Sequence, residues 1–209
     1  MNVSIFGSGN MARGIGTRIL AGGHSLHYFS DQPEQAAALA TSLGAFSTTD
    51  LDKALAADVI VLATPYAASL ALAGELSSRL AGKVVVDISN PLNATYDGLV
   101  TPPGTSAAEL IAAAAPKARI VKAFNTTFAG TLVAGVVQKQ PLDVYLAGDD
   151  AEAKITVAGL VENGGLVAID AGPLHRARQL EALGLLGITL QFSLGTGFAT
   201  GWKLLRPTA

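Results

Sequence analysis

The stretch that decides the fold stands near the start of the chain: Val3-Ser4-Ile5-Phe6, followed by Gly7-Ser8-Gly9-Asn10-Met11-Ala12. The first four residues read as a strand, and the residues from Met11 to Ala21 read as a helix. Between them lies G-x-G-x-x-A, in the strand–turn–helix context that cradles the pyrophosphate of a dinucleotide. Gly7 permits the tight turn, Gly9 lacks a Cβ so that backbone can approach a diphosphate, and Ala12 lets the helix pack on the sheet. The unpaired N–H groups at the helix start carry about half a unit of positive charge, which suits an anion. The plainer reading is a glycine turn that only tightens a strand–helix connection. Against it, a second strand over 25–29 ends about 20 residues past the glycines, as a dinucleotide-binding βαβ unit demands.

Outward from this unit, short apolar runs at 45–47, 59–63, 84–87, 119–123, 143–147 and 166–170 read as strands. Ala- and Leu-rich stretches at 34–43, 51–56, 67–80, 107–115 and 151–163 read as helices, and a last helix runs from near His175 to about Phe192. This alternation predicts an α/β fold, a doubly wound and mostly parallel sheet covered on both faces. The expected division is a dinucleotide-binding domain over 1–172, with a small C-terminal helical appendage over 173–209 packed on it. A loop over 89–106, punctuated by Pro91, Gly98, Pro102, Pro103 and Gly104, follows a central strand at the end of the sheet where ligands bind.

Composition excludes several function classes. The 209 residues carry a formal charge of −2 with 14% charged residues, which argues against a nucleic-acid partner. There is no cysteine, so disulfides and thiolate chemistry are out. Half of the residues are hydrophobic, which raises the question of a membrane. Residues 59–74 lack charge but are interrupted by Pro65, short of the roughly 20 apolar residues a span needs. Residues 182–202 are long enough, yet hold Thr189, Gln191, Ser193, Thr196, Thr200 and five glycines. They read as a buried helix that breaks up near Gly195. No basic lead precedes the first strand, so a cytoplasmic protein without a secretory signal or membrane partner is expected. The same 182–202 stretch is more apolar than the periphery of a monomer requires, which predicts a homodimer.

Taken together, several segments resemble the family of NADP oxidoreductases that depend on coenzyme F420, a deazaflavin. They are Gly7-Ser8-Gly9-Asn10-Met11, Gly23-His24, Asp87-Ile88-Ser89-Asn90-Pro91-Leu92, Val121-Lys122-Ala123-Phe124-Asn125-Thr126, Ala147-Gly148-Asp149-Asp150 and Asp170-Ala171-Gly172-Pro173-Leu174, with Ala177-Arg178 and Leu180-Glu181 beyond. The first turn is also similar to that of pyrroline-carboxylate reductases. The resemblance implies dinucleotide binding and hydride transfer. It puts Ser8, Asn10 and Met11 on the pyrophosphate and Ala63, Thr64 and Pro65 on the adenosine side. It puts Asn90, Pro91 and Leu92 near the nicotinamide half, with Ala123, Phe124 and Asn125 facing the nicotinamide. The departure lies after the second strand, where the family has Ser-Arg for the 2′-phosphate and this chain has Ser30-Asp31-Gln32. An acidic group there suits a ribose diol and repels a phosphate. The cofactor expected is therefore NAD(P), with Asp31 favouring NAD(H), while Ser30 and Gln32 leave NADP(H) open.

Hydride transfer to a flavin-like acceptor needs little acid–base help, because the cofactors carry the chemistry. Candidates for a catalytic or substrate contact are His175, beside Arg176 and Arg178 at the last helix, and Asn125. His175 could equally serve packing at a helix start. His24 and His27 read as structural, Lys122 as a strand lysine whose stem runs along apolar surface to water, and Asp149-Asp150 as helix capping. No His, Cys and carboxylate spacing suggests a metal. The reading favoured is an NAD(P)-dependent oxidoreductase passing hydride between a nicotinamide and a flavin- or deazaflavin-like acceptor, or a small carbonyl or imine. The alternative is a non-catalytic redox sensor that binds the dinucleotide and acts through a partner.

Overall fold

Three strand runs, VSIF, VIVL and VVVD, are buried along their whole length, as strands covered on both faces must be. The computed structural model, which describes residues 1–205 and 207, arranges the chain as β1 (Asn2–Phe6), α1 (Asn10–Ala21), β2 (Ser25–Phe29), α2 (Pro33–Leu43), β3 (Phe46–Ser47), α3 (Leu51–Leu55), β4 (Val59–Leu62), α4 (Tyr66–Glu75), β5 (Val84–Asp87), α5 (Ala107–Ala114), β6 (Arg119–Lys122), α6 (Ala129–Ala134), β7 (Val136–Val137), β8 (Gln140–Pro141), β9 (Asp143–Gly148), α7 (Ala151–Asn163), β10 (Val167–Gly172), a 3-10 turn (Leu174–Arg176) and α8 (Ala177–Leu194).

Eight strands form one sheet in the order β3-β2-β1-β4-β5-β6-β9-β10. Successive residues point to opposite faces. Val59 and Val61 therefore join the core under α1 and α7, whereas Ile60 and Leu62 join the core under α4 and α5. Strand order reverses between β1 and β4, and the crevice outside their carboxyl ends is where such sheets bind ligands. Two of the glycines at the first turn differ in purpose. Gly7 stands at φ +122 with the Ala63 carbonyl against the place a Cβ would take. Gly9 has ordinary extended backbone and open space where its Cβ would be.

The sheet is parallel through β6, and β9 then pairs antiparallel with β6 while β10 follows β9. After β6 the chain makes α6 and the β7–β8 hairpin, so it enters β9 at the end of the sheet where β6 left it. The helix expected over 67–80 stops at Glu75, just past Gly74, and turns fill the rest. The buried helix expected over 182–202 is only half covered. Its inward face is Glu181, Gly184, Gly187 and Gln191, whereas Leu186, Phe192 and Leu194 are exposed. Small residues bring this helix close to the core, and its large apolar side chains are left outside. Gly195 in the left-handed conformation ends it. Among the described residues no helix is long and apolar enough to cross a membrane.

Candidate functional site

At the carboxyl ends of β1, β4 and β5 lies a cleft of about 840 Å³. One half is built by the expected turns: Gly9, Asn10 and Met11 on one side, Ala63, Thr64 and Pro65 on the other. The Thr64 hydroxyl shares a hydrogen bond of 2.8 Å with the buried Ser69 hydroxyl, which fixes the turn into α4. Arg13, one turn into α1, adds a cation to this half.

Ser8 and Ser30 meet at 3.2 Å beside this turn, although they are 22 residues apart. The Ser8 hydroxyl donates to Gln35 Oε1 at 3.0 Å and the Ser30 hydroxyl donates to Asp31 Oδ1 at 3.2 Å. The Gln32 N–H donates to Ser30 Oγ at 3.1 Å. The cluster presents two hydroxyls, the Gln35 amide and the Asp31 carboxylate. Gln35 was not among the expected residues. It lies one turn into α2, and only the fold brings it to Ser8.

Deeper in the cleft Asn90 and Asn125 hold each other. Asn125 Nδ2 donates to Asn90 Oδ1 at 2.9 Å and to the Leu180 carbonyl at 2.8 Å, while Asn90 Nδ2 donates to the Asn125 carbonyl at 2.7 Å. Because both partners of Asn125 Nδ2 are acceptors, the orientation of its amide is determined. That leaves Asn125 Oδ1 buried with no partner, and the buried Ser89 Oγ, of the same cleft, has none either. Gly184 allows α8 to approach, since a Cβ there would come within 2.5 Å of Asn90 Oδ1.

Beneath this floor is a buried ion cluster. Lys122 is completely enclosed, and its Nζ donates to Asp87 Oδ2 at 2.7 Å, to Glu181 Oε1 at 2.8 Å and to the Ser89 carbonyl at 2.5 Å. The expectation that its head reaches water is overturned. A buried ammonium persists only with partners of opposite charge, and two carboxylates supply them. Glu181 also accepts from the Ala107 N–H at 3.0 Å, capping α5. Burial pushes the Glu181 carboxyl above its ordinary value against the pull of Lys122. Burial, then the carboxylates of Glu181 and Asp87, raise Tyr66, so its hydroxyl stays a donor at the cleft.

The opposite half of the cleft is apolar. Tyr96, from the 89–106 loop, packs edge-on against Phe192 of α8 at 5.7 Å. Phe198 packs edge-on against Phe192 at 5.7 Å and Phe128 at 5.3 Å. Tyr96 and Phe198 both stand at positive φ, 58° and 61°, which costs a side-chain-bearing residue roughly 1–2 kcal/mol. None of these four aromatic residues was anticipated.

Other expected residues lie elsewhere. Ala123 and Phe124 are buried behind the cleft, where the Thr127 hydroxyl donates to the Phe124 carbonyl at 2.7 Å. Pro91 and Leu92 shape the 89–106 loop through the Val100 N–H to Pro91 carbonyl bond of 2.7 Å and the bridge from Leu92 to Leu99. His175 sits exposed on the 3-10 turn and does not line the cleft. His27 stacks on Phe46, and Asp150 caps α7 through the Ala153 N–H at 2.8 Å.

The model of the family described as NADP oxidoreductase, coenzyme F420-dependent, matches residues 2–91. The F420-dependent NADP reductase of Methanocaldococcus jannaschii is 34% identical over 155 residues, covering 70% of this chain and 69% of that protein. The chain belongs to this family. Metalloreductase STEAP3 of Rattus norvegicus is 33% identical over 187 residues, and there the match covers 88% of this chain and only 36% of the relative's length. A crystal structure of an Arthrobacter sp. FB24 protein proposed to be an F420-dependent NADP-reductase superposes with a TM-score of 0.86 at 29% identity, covering 98% of this chain and 99% of that one. The Ser30-Asp31-Gln32 turn and the aromatic wall are therefore features of a member of a reductase family.

Proposed function

We propose that the protein is an NAD(P)-dependent oxidoreductase whose cleft seats the dinucleotide in its polar half and a hydride acceptor in its aromatic half. The observation that carries this reading is the pair of orphaned buried atoms, Ser89 Oγ and Asn125 Oδ1, in a cleft that opens on Gly9. Buried polar atoms without partners cost free energy unless a ligand supplies the hydrogen bond. A carboxamide can donate to Asn125 Oδ1, and Ser89 can donate or accept. The backbone of Gly9, Asn10 and Met11 would hold the diphosphate. Ser8, Ser30, Asp31 and Gln35 would hold the adenosine ribose. When bound, a reduced nicotinamide supplies a hydride. Asn90 and Asn125 are the residues of this chain that would hold the ring, with the aromatic wall on the other side of the cleft. Where the acceptor is a carbonyl or imine, the Tyr66 hydroxyl is a proton donor in the same cleft.

The Asp31 carboxylate beside Ser30 suits a ribose hydroxyl donor better than a phosphate, which supports NAD(H) over NADP(H). The exposed Leu186 and Leu194 of α8, which lie outside the cleft, support a homodimer, tested by sedimentation at micromolar concentration, where a stable 21 kDa monomer would reject it. The function is tested by titrating NADH and NADPH at fixed ionic strength, then following their oxidation with flavins, quinones, a deazaflavin and small imines. Binding of neither dinucleotide would reject the reading.

A further inference from the structure

One ring of the aromatic half, Phe198, is carried past the end of α8 by a strap over 196–204. It packs edge-on against Phe128 and Phe192 from left-handed backbone, φ 61°, just after Gly195 and Gly197 in the same conformation. A side chain stays in such backbone where its surroundings enforce it. Burial does not enforce it here, because among the described residues none of the side chains over 196–204 is buried. Two buried polar residues do. Gln191 Nε2 donates to the Thr200 hydroxyl at 2.8 Å, and Gln191 Oε1 accepts from the Thr196 hydroxyl at 2.6 Å. One amide thus closes both ends of the turn that carries Phe198. Its orientation is fixed, since Nε2 also donates to the Gly187 carbonyl at 2.8 Å. Further along, the Asp143 carboxylate at the start of β9 accepts from Lys203 Nζ at 2.5 Å and from the Leu204 N–H at 2.7 Å. Gly187 leaves room between these ties for the Trp202 indole, whose Nε1 stands 3.0 Å from where a Cβ would be.

We infer that Gln191 and Asp143 are positioning residues for the hydride acceptor, acting through the strap, which completes the aromatic half only while it is clasped. This rests on the reading of that half as the acceptor's place. Neither residue lines the cleft. A segment fastened by hydrogen bonds and an ion pair, with little apolar burial, opens at low cost. Release draws Phe198 away from Phe128 and Phe192 and leaves the turns after β1 and β4 untouched. The ties therefore set acceptor affinity and leave dinucleotide affinity alone.

Two ring probes, coenzyme F420 and FMN, are titrated by their own fluorescence, with NADH and NADPH affinity measured beside them. Trp202 is the chain's one tryptophan, so its emission reports whether the strap is seated. A triple variant, Thr196→Val, Thr200→Val and Lys203→Met, removes ties from the strap side at residues outside the core. Trp202 emission should shift to the red, and the Kd of whichever probe the parent binds should rise about tenfold, equivalent to roughly 1.4 kcal/mol. NADH and NADPH affinity should stay unchanged. Gln191→Leu, which cuts two of the same ties from the helix side, should move both readouts in the same direction. Thr196→Ser, Thr200→Ser and Lys203→Arg together keep the hydroxyls and the charge and should restore the parent values. A red-shifted emission with unchanged probe affinity would make the ties structural only and overturn the inference. So would unshifted emission, an equal loss of probe and dinucleotide affinity, or a parent that binds neither probe. Dinucleotide binding by the parent separates the two levels: its absence removes the whole functional reading, whereas any of those results with binding intact removes this inference alone.

Discussion

The two halves of the cleft are made by different means. The polar half is built from the turns that follow β1 and β4, with backbone groups and short side chains at Gly9, Asn10, Ala63 and Thr64. The aromatic half is built from Tyr96, Phe128, Phe192 and Phe198, which come from four separate segments and meet ring against ring. Local backbone geometry recognises a fixed chemical group and tolerates no intrusion. A wall of rings offers apolar area, and loss of one ring removes only a share of it. Beneath the Asn90–Asn125 floor lies the Asp87–Lys122–Glu181 cluster, which fastens α8, the carrier of Phe192, to β5 and β6.

The sharpest break of this comparison is at that fastening. Lys122→Met would strand two buried carboxylates, and removal of one partner from a buried ion cluster costs about 3–5 kcal/mol. Urea unfolding should show a loss of that size and a disturbance of both halves together. A loss below 1 kcal/mol would mean that the cluster is solvated in solution. Gly9→Val acts on one half alone. Its backbone is unstrained and its Cβ enters open space, so far-UV circular dichroism should match the parent while dinucleotide affinity falls about a hundredfold, near 2.7 kcal/mol. Retained tight binding would separate the turn from the cofactor.

Asp31→Arg should move the preference about tenfold toward NADPH, the size left after solvent screens a charge–phosphate interaction. A parent protein that already binds NADPH more tightly than NADH contradicts the account of Asp31. The smallest effect concerns pH. The Arg178 guanidinium, donating to Glu109 at 2.6 and 2.9 Å, holds that carboxyl below the usual range against the opposing push of burial. A depressed carboxyl contributes stability above its unfolded pKa and loses it as pH falls through its folded value. Glu109→Gln should therefore be slightly less stable than the parent at pH 7, with a deficit that shrinks as the pH is lowered and Glu109 takes up its proton. A deficit that stays equal as the pH falls would point to packing instead of charge.

Legibility in the sequence follows the same division. The strands, most helices and the polar half could be read because each depends on contiguous residues: a buried run, a glycine spacing, a cap at Asp150. The reversed direction of β9 could not, since an apolar run has the same periodicity in either orientation. Helix α6 was hidden because AGTLVA is six residues long and has no room for a helical repeat. Lys122 was misread because its partners are 35 and 59 residues away. One clue was available: Asp87 closes one expected strand and Lys122 stands one residue before the end of the next, and the register pairs them directly. The aromatic wall carried no sequence signal, because its rings share no element and no spacing.

The account turns on the two halves holding different molecules, and a crystal structure with bound NADH tests that most directly. The diphosphate should lie on the backbone of Gly9 and Asn10, the adenosine ribose against Asp31, and the carboxamide within hydrogen-bond distance of Asn125 Oδ1, leaving the aromatic wall open. Adenine stacked on Phe192 and Phe198, with the nicotinamide away from Ser89 and Asn125, would contradict it.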